Sequence, residues 1–147
     1  MTVSGARLSP WVYPGVDTLP GTPLVRGGEC VGLVQEYTIG LGHTSTWRQG
    51  ERVVETRYLQ RGTVIANFDD KGRWPGKKHS NHTCFFWDYG PRSMTTGFAV
   101  SILVVEQFVA SFVKNVQVRE LRCQGRWKSG QWIDPANNGD AFFVVLS

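Results

Sequence analysis

The chain of 147 residues is poor in cysteine, and the cysteines that it has do not form a disulfide pattern. Cys30, Cys84 and Cys123 are odd in number, and no two of them follow the C-x-x-C spacing. Such a set is not a disulfide framework, and at least one thiol must stay free. A free cysteine is most often a small buried apolar residue, so a reactive role for any of the three needs separate evidence.

The sequence also lacks a long apolar run. Its apolar stretches, such as 102–105 within the segment 98–108, are far too short to cross a bilayer, so we expect no membrane insertion. Residues 1–16 show no basic region followed by an apolar block, so no signal peptide is visible. We therefore expect either a cytosolic protein or one that leaves its cell by a route without a cleaved signal.

Charge of one sign is not concentrated anywhere in the chain. The 16 Lys and Arg residues exceed the 12 Asp and Glu residues by four, and the densest basic pair is Lys77–Lys78. Without a basic run, nucleic acid is not the expected partner. An apolar content of 41% with 12% aromatic residues is typical of a folded domain. We expect a single domain over 1–147, in which the proline-bearing segment 1–24 is an irregular lead-in.

The clearest periodic pattern lies at 29–37. Cys30, Leu33, Val34 and Tyr37 are spaced i, i+3, i+4 and i+7, which predicts one face of a helix. Downstream, the patterns predict a short helix at 51–60 and strands at 62–68, 82–87, 98–108, 116–121 and 141–146. One helix followed by an antiparallel meander of about five or six strands predicts an α+β fold, in which the helix packs on the sheet.

Three residues on these elements could form a catalytic site. Cys30 would lie in the first turn of the helix, where unpaired N–H groups and the helix dipole favour a thiolate. His82 opens a strand after a loop, and Glu106 lies on the neighbouring strand, close enough to hydrogen-bond to it. Nucleophile, base and orienting acid in this order are the papain-like arrangement. The backbone N–H of Cys30 is a candidate oxyanion donor, and Gln107 is the alternative orienting residue because it faces the other way.

The loops at 43–50 and 74–81 are expected to flank this site. Trp47, Trp74 and His79 are the loop residues that we expect to line a substrate cleft. His79 and His82 stand three residues apart, with His43 as a possible third ligand, but no helix fixes their geometry and we expect no metal site. Asp69 and Asp70 lie beside Lys71 and Gly72, which favours a turn over a catalytic carboxylate pair.

The residues around these positions resemble a known family. The segment 28–35 around Cys30 resembles the cysteine motif of the CHAP amidases, and further similar motifs follow in order at 62–69, 72–75, 81–83 and 104–108. Together they resemble family 2 of the type VI secretion amidase effectors, which has domesticated relatives in some eukaryotes. The resemblance spans roughly residues 25–110 and implies a papain-like domain of the NlpC and CHAP type.

The resemblance implies a cofactor-free amidase that cuts the peptide stems of bacterial peptidoglycan or the crosslinks between them. Cys30 and His82 match the family's cysteine and histidine motifs and are therefore the expected catalytic pair. The third motif departs from the family, because Glu106 stands where we expect an aspartate before the glutamine. The preferred bond is the crosslink between diaminopimelate and D-alanine, and the alternative is the bond between D-glutamate and diaminopimelate.

The resemblance also bears on location and partners. Effectors of this class are injected by the donor cell and act in the periplasm of a neighbouring bacterium, which accounts for a missing signal peptide. A domesticated copy would instead act outside the cell. A toxic effector requires a cognate immunity protein in its producer, and we otherwise expect a monomer.

A different class of function also fits the composition. A small basic β-rich module could bind glycan or nucleic acid through its aromatic side chains, since the chain has six tryptophans. In that case Cys30 would be an inert thiol. Exposed, coplanar tryptophans on one sheet face would favour this hypothesis.

Overall fold

The computed structural model of the chain describes residues 8–108 and 114–147. Within these ranges the chain forms one α-helix and six strands. The helix α1 is Cys30–Tyr37, and the strands are β1 Arg48–Arg52, β2 Val64–Ala66, β3 Thr83–Tyr89, β4 Ser101–Glu106, β5 Gln117–Arg122 and β6 Phe143–Leu146. None of the helices in the described ranges has the length and apolarity that a membrane crossing requires.

The six strands form one antiparallel sheet in the order β1-β6-β2-β3-β4-β5. In the interior of the sheet, β3 pairs with β4 so that Phe85 lies opposite Val105. Because the strands run antiparallel, the start of β3 meets the end of β4. His82 directly precedes β3 and Glu106 ends β4, so this pairing brings both residues to the same end of the sheet.

Both faces of the sheet are buried, which explains the continuous apolar runs of its central strands. Val64 and Phe85 pack on one face against Leu33 of α1. Ile65 and Phe86, which alternate with them, pack in a second cluster on the opposite face. The predicted α+β fold, with one cysteine-bearing helix packed on an antiparallel sheet, is therefore confirmed, and the sheet has six strands.

A tight turn precedes the helix and sets its start. Gly27 and Gly28 have φ angles of 78° and 87°, a region that glycine adopts without steric cost. The turn folds back over α1, so that a Cβ at position 32 would lie 2.8 Å from the Cβ of Arg26. Gly32 weakens an isolated helix but is required here, because any larger residue would collide with the turn.

The described part of the lead-in is tied to the sheet rather than extended away from it. Isolated bridges join Pro10 to Leu146 and Val12 to Thr63. Val16 and Leu19 are buried in the core beneath α1. Residues 1–7 of the predicted lead-in lie outside the described residues.

The prediction of a helix at 51–60 is wrong. The segment 48–52, of which 48–50 was predicted as loop, forms β1, and Val53–Glu55 is a single 3-10 turn. The turn places Val53 and Val54 together in the second core cluster. Arg52 forms a 3.0 Å ion pair with Asp140, which ties the end of β1 to the segment before β6. These distant contacts outweigh the local helical pattern.

Candidate active site

Cys30 is the first residue of α1 and is partly exposed. Glu29, at the N-cap position, makes no side-chain capping hydrogen bond. The first N–H groups of a helix have no partner one turn earlier within it. That of Gly32 donates to the carbonyl of Glu29 over 3.0 Å, so in the described part of the chain the N–H groups of Cys30 and Val31 are the open donors beside the thiol. The structure therefore places Cys30 in the first turn of the helix, as predicted.

His82 is only 5% exposed and is held from several sides. Its backbone N–H donates to Oδ1 of Asn67 over 2.9 Å, and its carbonyl accepts from the Asn67 backbone N–H over 3.1 Å. The rings of Phe108 and Phe142 lie edge-on to the imidazole, with centroids 6.5 and 6.3 Å away. The ring orientation is thus set by packing as well as by hydrogen bonds.

The two imidazole nitrogens of His82 have different partners. Nε2 lies 2.8 Å from Oε1 of Glu106, and Cys30 lies close enough to the imidazole to raise its pKa. Since Glu106 occupies Nε2, Nδ1 is the nitrogen left for the thiol. Burial lowers the pKa of His82, but the nearby Cys30 and the hydrogen bond and negative charge of Glu106 outweigh it and raise the pKa to about 9. The imidazole is therefore protonated at neutral pH.

Glu106 is 2% exposed and lies between three polar side chains. Arg119 of β5 donates from Nε to Oε2 over 2.6 Å and from Nη2 to Oε1 over 3.0 Å, and Gln117 donates to Oε2 over 2.8 Å. Burial raises the pKa of Glu106, but the bonds and charges of His82 and Arg119 lower it to about 2. The acid, although longer than the expected aspartate, reaches His82 and remains ionised.

Gln107 does not hydrogen-bond to His82 but to the backbone that precedes α1. Its Oε1 accepts from the backbone N–H of Val25 over 2.9 Å, and its Nε2 donates to the carbonyls of Val25 and Glu29 over 2.8 and 2.7 Å. Both ends of the amide thus hold the chain that leads into α1, and the imidazole is left to Glu106. This corrects the expectation that Gln107 could orient His82.

The three residues expected to line a cleft, Trp47, Trp74 and His79, differ in their exposure. Trp47 is 0% exposed and donates its indole N–H to the carbonyl of Gly42 over 3.0 Å, so the expectation that it lines a cleft is wrong. Trp74 is partly buried and packs edge-on against Trp47 at 69°. His79 is exposed and lies on the wall of a cavity that also includes His82.

The other two cysteines differ from Cys30. Cys84 is fully buried on β3, where burial first and then the charge of Glu106 raise its pKa. Burial, together with Asp140, raises the pKa of Cys123 to about 12. All three cysteines are free thiols. No group of three or more His, Cys, Asp or Glu residues within 8–108 and 114–147 is arranged to hold a metal ion.

Two cavities lie near the site. One of about 200 Å³ borders His82 and is lined by residues of the loops 78–81 and 134–137 together with Phe108 and Arg119. A larger one of about 470 Å³ has Phe68, Lys77 and Trp132 on its walls and includes neither Cys30 nor His82. Ser80 borders both cavities.

Sequence reasoning missed Arg119, Asn67 and Asn137. In the sequence, Arg119 is only one of the polar positions of an alternating strand. In the structure, Nη1 of its guanidinium donates to Oδ1 of Asn137 over 2.9 Å. The signal that could have found it is Glu106 itself, because a carboxylate buried in a sheet requires a cationic partner on a neighbouring strand. Asn67 lies in the motif 62–69, where its side chain holds the backbone of His82.

Comparisons with known proteins agree with the fold and identify the family. The family model for domesticated amidase effector 2 matches residues 15–145. A type VI secretion amidase effector 2 protein from Salmonella typhi is 33% identical over 137 residues, which are 92% of this chain and 98% of that protein. A solved structure of a type 6 secretion amidase effector 2 has a TM-score of 0.77 and 33% identity, over 92% of this chain and 93% of that one. The resemblance seen in the motifs is confirmed, and the chain belongs to the domesticated amidase effector 2 family.

Proposed function

We propose that this protein is a cysteine-dependent amidase that hydrolyses peptide crosslinks in bacterial peptidoglycan. Cys30 is the nucleophile, His82 is the general base and acid, and Glu106 orients the imidazole. The observation that supports the proposal is the location of Cys30 at the start of α1, near enough to a buried His82 to raise its pKa, while Nε2 of His82 is held by Glu106. Nucleophile, base and orienting group within hydrogen-bond reach are the signature of covalent catalysis.

In the first step the Cys30 sulfur attacks the amide carbonyl and forms a tetrahedral intermediate. The backbone N–H of Cys30 stabilises the oxyanion, since it lies at the uncapped start of the helix. A single donor of this kind typically contributes about 10²–10³ in rate. The intermediate collapses with cleavage of the C–N bond, and the protonated His82 gives its proton to the leaving amine.

In the second step water hydrolyses the thioester. His82, now neutral, takes a proton from the attacking water, and the acid product leaves with regeneration of the thiolate and the imidazolium. Glu106 keeps Nε2 protonated, and Nδ1 is the atom that exchanges protons with thiol, amine and water. Arg119 acts through Glu106, whose carboxylate it holds by two hydrogen bonds.

We propose the diaminopimelate–D-alanine crosslink as the scissile bond, with the D-glutamate–diaminopimelate bond as the alternative. The relatives are named as amidase effectors of type VI secretion. By this likeness the protein reaches the periplasm of a target bacterium by injection, or acts outside the cell if it is a domesticated copy. A producer of such an enzyme would carry an immunity protein that blocks the site.

The test is digestion of purified diaminopimelate-type peptidoglycan followed by separation of the muropeptides. We expect the unmodified protein and Cys123→Ala to convert crosslinked dimers into monomers with intact stems. Cys30→Ala should lose activity by at least about 10³-fold, because it removes the nucleophile.

The products also decide between the two bonds. Shortened stems instead of intact monomers would assign the cut to the D-glutamate–diaminopimelate bond. Unchanged muropeptides under reducing conditions, or equal digestion by Cys30→Ala, would overturn the proposed mechanism.

The binding-module hypothesis has less support. It requires exposed, coplanar tryptophans, whereas Trp47 is fully buried and Trp74 packs on it at 69°. A buried His82–Glu106 pair also has no use in glycan or nucleic-acid binding, and burying charges is costly.

A further inference from the structure

The cavity of about 200 Å³ beside His82 has a composition that suits an anionic ligand with an apolar chain. Its walls come from the loop 78–81, from Phe108 two residues after β4, from Arg119 of β5 and from the loop that contains Asp134. It touches His82 but has no wall formed by Cys30. The cavity therefore lies on the imidazole side of the catalytic pair.

A cavity next to Cys30 and a cavity next to His82 would hold different halves of the substrate. The acyl half becomes bonded to Cys30, whereas the leaving nitrogen takes its proton from His82. The groups attached to that nitrogen must therefore lie next to the imidazole. The cavity beside His82 is in the right place for the half of the substrate that carries the leaving amine.

Arg119 and Lys78 supply positive charge to this cavity. A guanidinium has five N–H donors, and Arg119 uses three of them on Glu106 and Asn137. Its side chain is 34% exposed and forms part of the cavity wall. Among the described residues, neither Lys78 nor His79 forms an ion pair. Asp134 is the opposing carboxylate, and both of its oxygens accept from the Asn137 amide over 3.1 Å.

Phe108 gives the cavity an apolar wall. It is 50% exposed, and its ring lies edge-on to His82 with a centroid distance of 6.5 Å. A short methylene chain that passes His82 would lie against this ring, and a charged group at its start would remain within reach of the cationic side chains.

We propose that this cavity is the leaving-group subsite and that it binds the carboxylate on the carbon that bears the leaving nitrogen. The inference rests on the proposed amidase function. In a diaminopimelate crosslink that carbon carries a free carboxylate and a methylene chain, whereas in a lysine crosslink it carries no carboxylate. The subsite therefore selects crosslinks to diaminopimelate over crosslinks to lysine, and it disfavours diaminopimelate whose carboxylate is amidated.

The test uses three synthetic crosslinked peptides that share one D-alanyl donor. Their acceptor amines belong to diaminopimelate, to diaminopimelate amidated at the neighbouring carboxylate, and to lysine. We expect kcat/KM to be about tenfold higher on the free carboxylate than on either other peptide, the size of effect that a charge-assisted hydrogen bond supplies.

Two substitutions of opposite sign locate the effect. Lys78→Ala should lower kcat/KM about threefold on the free carboxylate and leave the amidated peptide unchanged. Asp134→Asn should raise kcat/KM on the free carboxylate alone, and asparagine tolerates the φ of 42° at this position. Lys71→Ala removes an exposed lysine outside both cavities and is the matched control.

The outcomes separate this inference from the proposed function. Equal kcat/KM on the three peptides would overturn the carboxylate subsite while leaving the amidase intact. A loss in Lys78→Ala that is the same on every peptide would also overturn it. Failure of the unmodified protein to cleave any of the three would instead contradict the proposed function on which the inference rests.

Discussion

Glu106 is the residue at which the charges of the candidate site meet. It is nearly fully buried, and it accepts hydrogen bonds from His82, Gln117 and Arg119. A buried carboxylate is stable only when it is paired in this way. The pairing has a functional consequence, because the negative charge of Glu106 is one of the causes that keep the imidazole of His82 protonated.

The pH profile of hydrolysis should report this coupling. Since the pKa of His82 is raised to about 9, kcat/KM should fall as pH rises through about 9, where the imidazolium that protonates the leaving amine is lost. Glu106→Gln removes a negative charge beside the imidazole, so the pKa of His82 falls and the alkaline limb moves to lower pH by about one unit or more. The measurement is kcat/KM between pH 6 and pH 10.

A matched control is available on the neighbouring strand. Glu120 of β5 accepts from Ser101 over 2.7 Å, and among the described residues it forms neither a hydrogen bond nor an ion pair with His82. Glu120→Gln should therefore leave the alkaline limb in place. A limb that is the same in the unmodified protein and in Glu106→Gln would show that Glu106 does not act on the imidazole.

At the scale of the elements, the turn before α1 and the helix itself depend on each other. The carbonyl of Arg26 lies 3.3 Å from the position of a Cβ at residue 32, and the Cβ of Arg26 lies closer still. Gln107 binds the backbone of Val25 and Glu29 on either side of this turn. The location of Cys30 thus depends on a close contact that only glycine at position 32 permits.

Gly32→Ala should therefore destabilise the protein, although alanine is the better helix former. We expect a loss of about 1–3 kcal/mol in the free energy of unfolding, the usual cost of overpacking, against a gain of at most about 1 kcal/mol from helix propensity. Urea denaturation measures the net change in the free energy of unfolding. Arg26→Gly removes the colliding Cβ and suits the φ of 48° at position 26, so the double variant should recover most of the loss.

If Gly32→Ala were instead as stable as the unmodified protein or more so, the close approach of turn and helix would be contradicted. A double variant no more stable than Gly32→Ala alone would show that Arg26 is not the residue in the way.

Elements with a local signal could be predicted from the sequence, and the others could not. The spacing of Cys30, Leu33 and Val34 defines α1 within a single segment, and its prediction was confirmed. The strand β1 has no β-branched residue in 48–52, and it is a strand because it pairs with β6, nearly a hundred residues later in the chain. No local pattern encodes that pairing.

The same distinction holds for the candidate site. Cys30, His82 and Glu106 were predicted because the motifs and one strand pair suffice to bring them together. Arg119 depends on the register between β4 and β5, in which Val104 lies opposite it, and this register is not readable from the segment alone. The expectation for Trp47 failed because a loop signal carries no information on burial.

At the scale of the whole molecule, the sheet is buried on both faces and the tryptophans contribute unequally to its cores. Trp47 is fully buried against Trp74 and belongs to the cluster beneath α1. Trp127 is 60% exposed. Trp47 and Trp127 have the same side chain, so the difference in their contributions to stability comes from their environments.

Trp47→Ala should lower the free energy of unfolding by about 3–5 kcal/mol, because it leaves a large cavity and an unpaired Gly42 carbonyl. Trp127→Ala should change it by no more than about 0.5 kcal/mol. Urea denaturation of both variants measures the difference. A loss in Trp47→Ala as small as that in Trp127→Ala would contradict the buried location of Trp47.

The most direct test of the central claim is alkylation of the unmodified protein with iodoacetamide at neutral pH, followed by intact mass, peptide mapping and residual hydrolysis. A single label on Cys30 should form well before any on Cys84 or Cys123, whose pKa values are raised, and activity should fall in step with that label. His82→Gln should slow the labelling of Cys30. Full hydrolysis after complete labelling of Cys30, or inactivation that follows a label on Cys123, would contradict the assignment of Cys30 as the nucleophile.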